Sequence, residues 1–379
     1  MRKSVLALLV LALAVGVAVA GWAQTTKWGL PLNPFGTKFA VKPDGTPYKF
    51  ACSVLFLGVD TLSQGEKLQK SLIERAGGKY IFFDPGLDPQ KQIAWIEDLI
   101  TVQKPDCIIF QSVNEKMLVP VVEKAWDAGI PSVIWDIDVN TDKKISFILH
   151  DFAGDKGSNQ VGQYFVDRAK AAKKKLHILE IWGQRALQTS QDRHAGFHKA
   201  VDKSDLIKVM ESEDSNWSPE KAADIVGNAL TADPTINAIF SHGGEAPGVV
   251  NGLRSINRLF PLEHPKHVIV ATNDIDPLVA KSIDEGLVDA CGSHQACDLM
   301  DVATQVGFTA VVLKQKVPKR IAVPMYVITK ANINSLKMLG LPTYPKLPVK
   351  AWGQWPPLNI SELGIPTPTM ELRKKLVGY

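Results

Sequence analysis

From position 49 onward the hydrophobic and polar residues follow two alternating patterns. Short apolar runs, too continuous to be half exposed, are followed by longer stretches whose apolar residues recur three and four apart. The first pattern suits buried strands and the second amphipathic helices. Residues 49–57, 80–84, 107–110, 132–135 and 146–149 are predicted strands, and 63–76, 90–102 and a segment from 116 to 128 are predicted helices. In 90–102, Ile93, Ile96, Leu99 and Ile100 line one helical face. A second round follows after Asp151, with helices over 157–172, 191–201, 246–256 and 278–285 and one beginning at 219. Its strands are 176–181, 207–211, 238–241, 267–272 and 288–292. Ser218 before Pro219 is a helix-start signal. A further helix over 296–314 and a late strand over 322–328 close the pattern. Strand-helix alternation with short loops predicts α/β architecture with doubly wound parallel sheets.

The stretch Ala-Gly-Ile-Pro-Ser-Val-Ile-Trp-Asp-Ile-Asp at 128–138 organises the first round. Gly129 ends a helix, where a residue without a Cβ takes the left-handed conformation, and Pro131 opens a short central strand. That strand ends on Asp136 and Asp138. Ligands of open α/β sheets sit beyond the carboxyl ends of strands, so these two carboxylates are the first candidate site residues. For Asp138 the alternative is capping of the next turn.

The ends of the chain depart from the pattern. Met1-Arg2-Lys3 precedes an apolar run to Ala20, and small residues follow, which predicts a signal peptide over 1–23. No Cys follows that run, so lipid attachment is not expected, and no other segment is apolar for the roughly 20 residues a membrane span needs. Residues 24–48 read as a leader on the first domain and 332–379 as a Pro-rich extension. The expected location is the periplasm.

At 379 residues the chain exceeds one ordinary core and suggests two domains. Its 45% hydrophobic and 22% charged residues are ordinary for a globular protein. The formal charge of +4 becomes +2 once Arg2 and Lys3 are removed, which does not suggest a nucleic-acid partner. The lysines at 170 and 173–175 read as a solvated helix end. Of four cysteines, Cys52 and Cys107 lie in strand-like runs, while Cys291 and Cys297 flank a loop and are the better disulfide candidates.

Taken together, Gly-Ile-Pro-Ser-Val-Ile-Trp-Asp (129–136), Gln-Asp-Arg-His-Ala-Gly-Phe (191–197), Ala-Ile-Phe-Ser-His-Gly-Gly-Glu (238–245), Val-Ile-Val-Ala-Thr-Asn-Asp (268–274) and Val-Pro-Met-Tyr-Val-Ile-Thr-Lys-Ala-Asn (323–332) carry a family resemblance. Their order and spacing resemble the type I periplasmic sugar-binding proteins of ABC transporters, in the ribose-binding branch. The resemblance implies two Rossmann-like lobes joined by a three-segment hinge and closing on one small ligand. Lobe one would be 49–151 with 295–322, and lobe two 152–294 with 323–331.

Carried over residue by residue, the resemblance implies that Asp136 accepts sugar hydroxyls. The Arg that usually follows is Ile137 here. Gln191 stands where ribose receptors keep a ligand-binding Arg, Arg193 keeps a nearby and often structural Arg, and Trp217 stands at an aromatic position against the sugar ring. Asn273 replaces the usual Asp, with Asp274 adjacent. His294 or Gln295 occupies the hinge-region Gln, and Gly243 replaces an Asn. Asp60, Thr61 and Gln64 are expected on the first strand-to-helix loop, where further contacts fall.

A polyol needs carboxylate and amide groups plus an aromatic face for its C–H surface. Asp136, Gln191, Asn273 and His294 offer the polar groups. Trp217, with Trp135 or Trp182, offers the face, although most of the nine tryptophans are expected in cores. Loss of two Arg positions argues for a ligand other than ribose, with a hexose, another pentose and a cyclic polyol equally open. The implied partners are that ligand and an ABC permease and ATPase, with the receptor a monomer and no cofactor required.

Competing signals fail on spacing. Asp136, Asp138, Asn140 and Asp142 resemble the start of a calcium loop, but Thr141 stands where Gly is needed and Phe147 where Glu is needed. His242 with Glu245 supplies two ligands, which do not make a zinc site, so no metal is expected. There is no Gly-x-Ser-x-Gly elbow and no phosphate-binding loop at the first βα turn. A periplasmic sensor for a sugar-like signal and an exported enzyme built from dispersed residues are the alternatives.

Overall fold

A computed structural model describes residues 40–333 except 59, 156, 295, 313, 315, 324 and 326. The predicted signal peptide, leader residues 24–39 and tail residues 334–379 lie outside the described residues. The first round consists of β1 (Lys49–Ser53), α1 (Asp60–Arg75), β2 (Lys79–Phe83), α2 (Pro89–Asp98, continued by a π turn at Leu99–Gln103), β3 (Cys107–Gln111), α3 (Val119–Asp127), β4 (Ser132–Trp135) and β5 (Ser146–His150). The second consists of α4 (Ser158–Ala172), β6 (Leu176–Trp182), α5 (Gln188–Val201), β7 (Ile207–Asp214), α6 (Pro219–Ala232), β8 (Ala238–Ser241), α7 (Ala246–Ser255), β9 (Ile269–Asp274), α8 (Pro277–Glu285) and β10 (Ala290–His294). Then come α9 (Ala296–Gly307, continued by a π turn at Phe308–Val312), β11 (Arg320–Val323) and β12 (Val327–Thr329).

Two six-stranded sheets result, ordered β11-β5-β4-β3-β1-β2 and β12-β10-β9-β8-β6-β7. The pairings are parallel apart from β12, which runs antiparallel to β10. The chain leaves the first sheet after β5, returns after β10 when α9 packs on α1, and leaves again after β11. Central strands are buried along their whole length, as in the Cys-Ile-Ile-Phe-Gln of β3, whereas the outer strand β7 alternates in exposure.

Local chemistry sets the element ends. Asp88, Ser218 and Asp276 accept backbone N–H groups of the helices that follow, each just before a proline at the first helical position. Gly129, at φ +80°, closes α3 as its sequence predicts. Each sheet buries both faces. In β6, Leu179 and Ile181 enter one core of the second lobe and Leu176 and Ile178 the other, which puts Glu180 on the α4/α5 side.

Several expectations are corrected. The first strand stops at Ser53 rather than 57, and α1 begins at Asp60, so Asp60, Thr61 and Gln64 belong to its first turns and not to a loop. Asp and Thr suit a helix N-terminus, which accounts for the earlier start. The side chains of these three residues, and Gln295, lie outside the described residues. The predicted strand over 322–328 is two strands, one in each sheet, because the chain crosses between lobes there. Cys291 is a free, buried thiol in the core of the second lobe. It makes no disulfide with Cys297, which sits on α9 against the first lobe.

Candidate ligand-binding cleft

The carboxyl ends of both sheets face each other, and the polar side chains of the candidate site gather there. Asp136 follows β4 directly at φ +62°, with Ile137 N donating to Trp135 O at 2.8 Å across it. This tight γ-turn is a costly conformation for a residue with a Cβ, and such strain persists where the surroundings hold it. Gln111, the last residue of β3, donates from Nε2 to Asp136 Oδ2 at 2.6 Å. Gln111 is held in turn by Leu55 N on its Oε1, at 3.1 Å. The other oxygen, Oδ1, has no hydrogen-bond partner among the described residues, and the side chain is only 8% exposed. Burial raises the Asp136 pKa, while Arg193 and the Gln111 hydrogen bond pull it back.

His294, at the end of β10, brings Nε2 to 3.8 Å from that Oδ1, too far for a hydrogen bond. Burial, then Arg193 and His150, hold its pKa well below the ordinary value, so the ring is neutral. Its ring lies edge-on to His150, with centroids 4.9 Å apart, and 5.1 Å from the Phe152 centroid. Phe152 leads on to Arg193, whose guanidinium lies 4.3 Å from the Phe152 ring centre and 5.1 Å from that of Trp217. Arg193 Nη1 donates to Asp274 Oδ1 at 2.9 Å and to the carbonyl of His242. Burial raises the Asp274 pKa to about 6 despite Arg193. Contacts therefore run from Gln111 and Asp136 in one lobe through His294 and Phe152 to Arg193, Trp217 and Asp274 in the other.

Trp217 sits at φ +60° in the loop before α6, with its ring on Gly183. A Cβ on Gly183 would come within 2.3 Å of that ring, so the close approach needs glycine there. Asn273 is buried. Its Oδ1 accepts from Ser158 Oγ at 3.1 Å, and its Nδ2 has no partner among the described residues.

Other expected residues are otherwise engaged. Trp135 packs in the core of the first lobe, because the fourth strand is buried on both faces. Asp138 is held by Lys144, at 2.7 and 2.8 Å, and receives Val139 N at 2.8 Å, so it braces its own turn. Gln191 is exposed and donates to Arg185 O at 3.0 Å. Two positions apart on α5, Gln191 and Arg193 point to opposite sides, and Arg193 takes the inner one. Trp182 donates from Nε1 to Glu211 and covers His194 and His242 rather than the cleft.

A cavity of about 360 Å³ opens between the lobes, within the range of small-ligand sites. Its walls include Asp136, Asp138, Lys144 and His150 from one lobe and Phe152, Gln188, Thr189 and Asp192 from the other. Arg193, Asn273 and His294 are buried and do not wall it. Across its mouth Gln188 N donates to Glu115 Oε1 at 3.1 Å. Gln111 and Phe152 are members that sequence reading missed. The available signal for Gln111 was an amide at the carboxyl end of an otherwise apolar strand.

A protein-family model described as a periplasmic binding protein domain matches residues 62–315. The D-ribose/D-allose-binding protein of Pseudomonas aeruginosa is 32% identical over 178 residues, which is 45% of this chain and 54% of that protein, about half its length. The ribose import binding protein RbsB of Bacillus subtilis is 24% identical over 336 residues, covering 87% of this chain and all of that one. Among solved structures, the periplasmic binding protein component of the arabinose ABC transporter from Shewanella sp. ANA-3 superposes with a TM-score of 0.69 at 22% identity. It covers 80% of this chain and 96% of its own, a likeness of fold.

Proposed function

The chain belongs to the periplasmic binding protein domain family, and from that premise we propose that it is the extracytoplasmic receptor of an ABC importer for a monosaccharide or cyclic polyol. In this reading the 23 N-terminal residues direct export, the receptor works as a monomer, and the closed form docks on a permease driven by its ATPase. The family is one of binding proteins, and the chain releases its ligand unchanged.

One observation carries the reading. A buried carboxylate at the end of a strand has one oxygen with no hydrogen-bond partner among the described residues, 3.8 Å from the His294 ring between the lobes. An unpaired buried acceptor is costly, and a sugar hydroxyl donating to Asp136 Oδ1 removes that cost. The Asn273 amide and the Arg193–Asp274 pair supply further polar groups from the other lobe, with Trp217 as the aromatic face. Because these residues come from both lobes, ligand contacts favour the closed arrangement. The relatives are import proteins, and no observation favours a sensor.

The test is a thermal-shift and calorimetric screen of the mature protein against pentoses, hexoses and inositols. One ligand should bind saturably, adding about 2.7 kcal/mol at a hundred times its Kd, and be recovered unchanged. Silence from every polyol, or turnover of the one that binds, would sink the proposal.

A further inference from the structure

Beneath α5, on the α4/α5 face of the second sheet, three imidazoles converge on one buried carboxylate. Glu180, from the middle of β6, is fully buried. Nδ1 of His194 lies 3.1 Å from both its oxygens, Nε2 of His198 lies 3.0 Å from Oε2, and Nε2 of His242 lies 2.9 Å from Oε1. His194 and His198 are four apart on α5 and so share a helix face. His242 follows β8. The donor atoms of Glu180, His194 and His198 all lie within 4.8 Å of one another.

A buried carboxylate needs hydrogen bonds, and fewer donors than three imidazoles would serve. Two further features go beyond that need. First, Nδ1 of His198 meets Asp202 Oδ1 at 2.7 Å. A second carboxylate on the far ring nitrogen is the arrangement that orients a metal-bound histidine and fixes its tautomer. Second, each imidazole nitrogen stands 2.9 to 3.1 Å from a Glu180 oxygen, and the donor atoms of Glu180, His194 and His198 lie within 4.8 Å of one another. Small side-chain rotations would bring these three to the edge of a tetrahedral zinc site, about 3.3 Å for bonds of about 2.0 Å. His194 and His198 keep 30% and 20% of their side-chain surface exposed, which gives an ion a way in.

We propose that Glu180, His194 and His198 form a three-residue binding site for one divalent transition-metal ion of the zinc class. Imidazole nitrogens with one carboxylate suit Zn²⁺, Ni²⁺ and Co²⁺ better than Ca²⁺ or Mg²⁺, which prefer all-oxygen shells. The ion would tie β6 and α5 together. His242, hydrogen-bonded to Glu180 through Nε2 and accepting from Arg193 at its carbonyl, would link this site to the cleft. Neither the site nor its test depends on what the cleft binds.

The test uses mature, untagged protein, treated with EDTA and dialysed to pH 8. Zn²⁺ is titrated by calorimetry and thermal shift, and Co²⁺ by its visible d–d bands. The wild-type protein should take up one equivalent with a rise in Tm and an intense tetrahedral Co²⁺ spectrum. The His194→Ala/His198→Ala double variant should take up none. Asp202→Asn, which keeps all three ligands, should bind roughly 10- to 100-fold more weakly. Absence of stoichiometric binding by the wild-type protein overturns the proposal, as does equal affinity in the double variant, which would put the ion elsewhere. Should the double variant not fold, wild-type stoichiometry and Asp202→Asn decide the matter.

Discussion

Gln111 Nε2 donates to Asp136 Oδ2 at 2.6 Å, and the same carboxylate has no partner for its Oδ1 among the described residues. One oxygen thus holds the group in place, and on the proposed function the other is the one that a ligand hydroxyl would reach.

Asp136→Asn separates these two roles. Gln111 can still donate to the amide oxygen, and a buried charge that burial disfavours is removed. The variant without ligand should therefore melt at or above the wild-type temperature. Polyol binding should weaken by about 1.5–3 kcal/mol, the worth of a hydrogen bond to a charged group, or roughly ten- to a hundred-fold in Kd. Paired melting and calorimetry check both signs, and unchanged affinity would remove Asp136 from the site.

Gly183→Ala drives a Cβ into the Trp217 ring. Overpacking of this kind costs about 1–3 kcal/mol, and moving the ring takes away one of the two aromatic faces on Arg193. Lower stability, weaker ligand binding and an altered tryptophan emission on ligand addition are expected. In the Trp217→Ala background the clash is gone, so Gly183→Ala should then cost little. A double-mutant cycle in urea measures that non-additivity.

Glu245, the residue before α7, is fully buried, and neither of its carboxylate oxygens has a partner among the described residues. Burial, opposed by nearby backbone N–H groups and Arg193 and helped by a smaller push from Asp274, raises its pKa to about 7 from the ordinary 4.5. A folded-state value above the unfolded one means that the folded protein binds the proton more tightly. Stability is then undiminished below pH 4.5, falls as pH rises to 7 and levels off above it. The full loss is about 3 kcal/mol. Asp274 adds a smaller slope of the same sign. Glu245→Gln has no such titration, so its stability relative to wild type should improve by about that amount between pH 4.5 and pH 8. Chemical denaturation at the two pH values measures the difference; an equal offset at both would mean the carboxyl ionises normally.

Much of this protein is legible along the chain. Strand and helix follow hydrophobic period, which depends on residues a few positions apart, so β3, β4 and the start of α6 fall close to where their sequences predict. Asp136 is readable for the same reason, since an acidic residue that ends an apolar strand announces itself. Helix faces can be counted too, and counting shows that Gln191 and Arg193 cannot both point inward.

The partners of these residues are not written locally. Gln111 and Asp136 are 25 positions apart, and adjacent parallel strands bring them together only once β3 and β4 pair in register. Lys144 holds Asp138, because the turn after β4 folds back on itself. Glu180 meets His194, His198 and His242 only when β6, α5 and β8 have packed. The sequence by itself determined the alternation of elements, the two-lobed fold class and the first carboxylate of the candidate site. Tertiary structure alone decided which side chains face each other, because hydrogen bonds and burial depend on distance in space, and closing the loops between distant segments is the work of the whole fold.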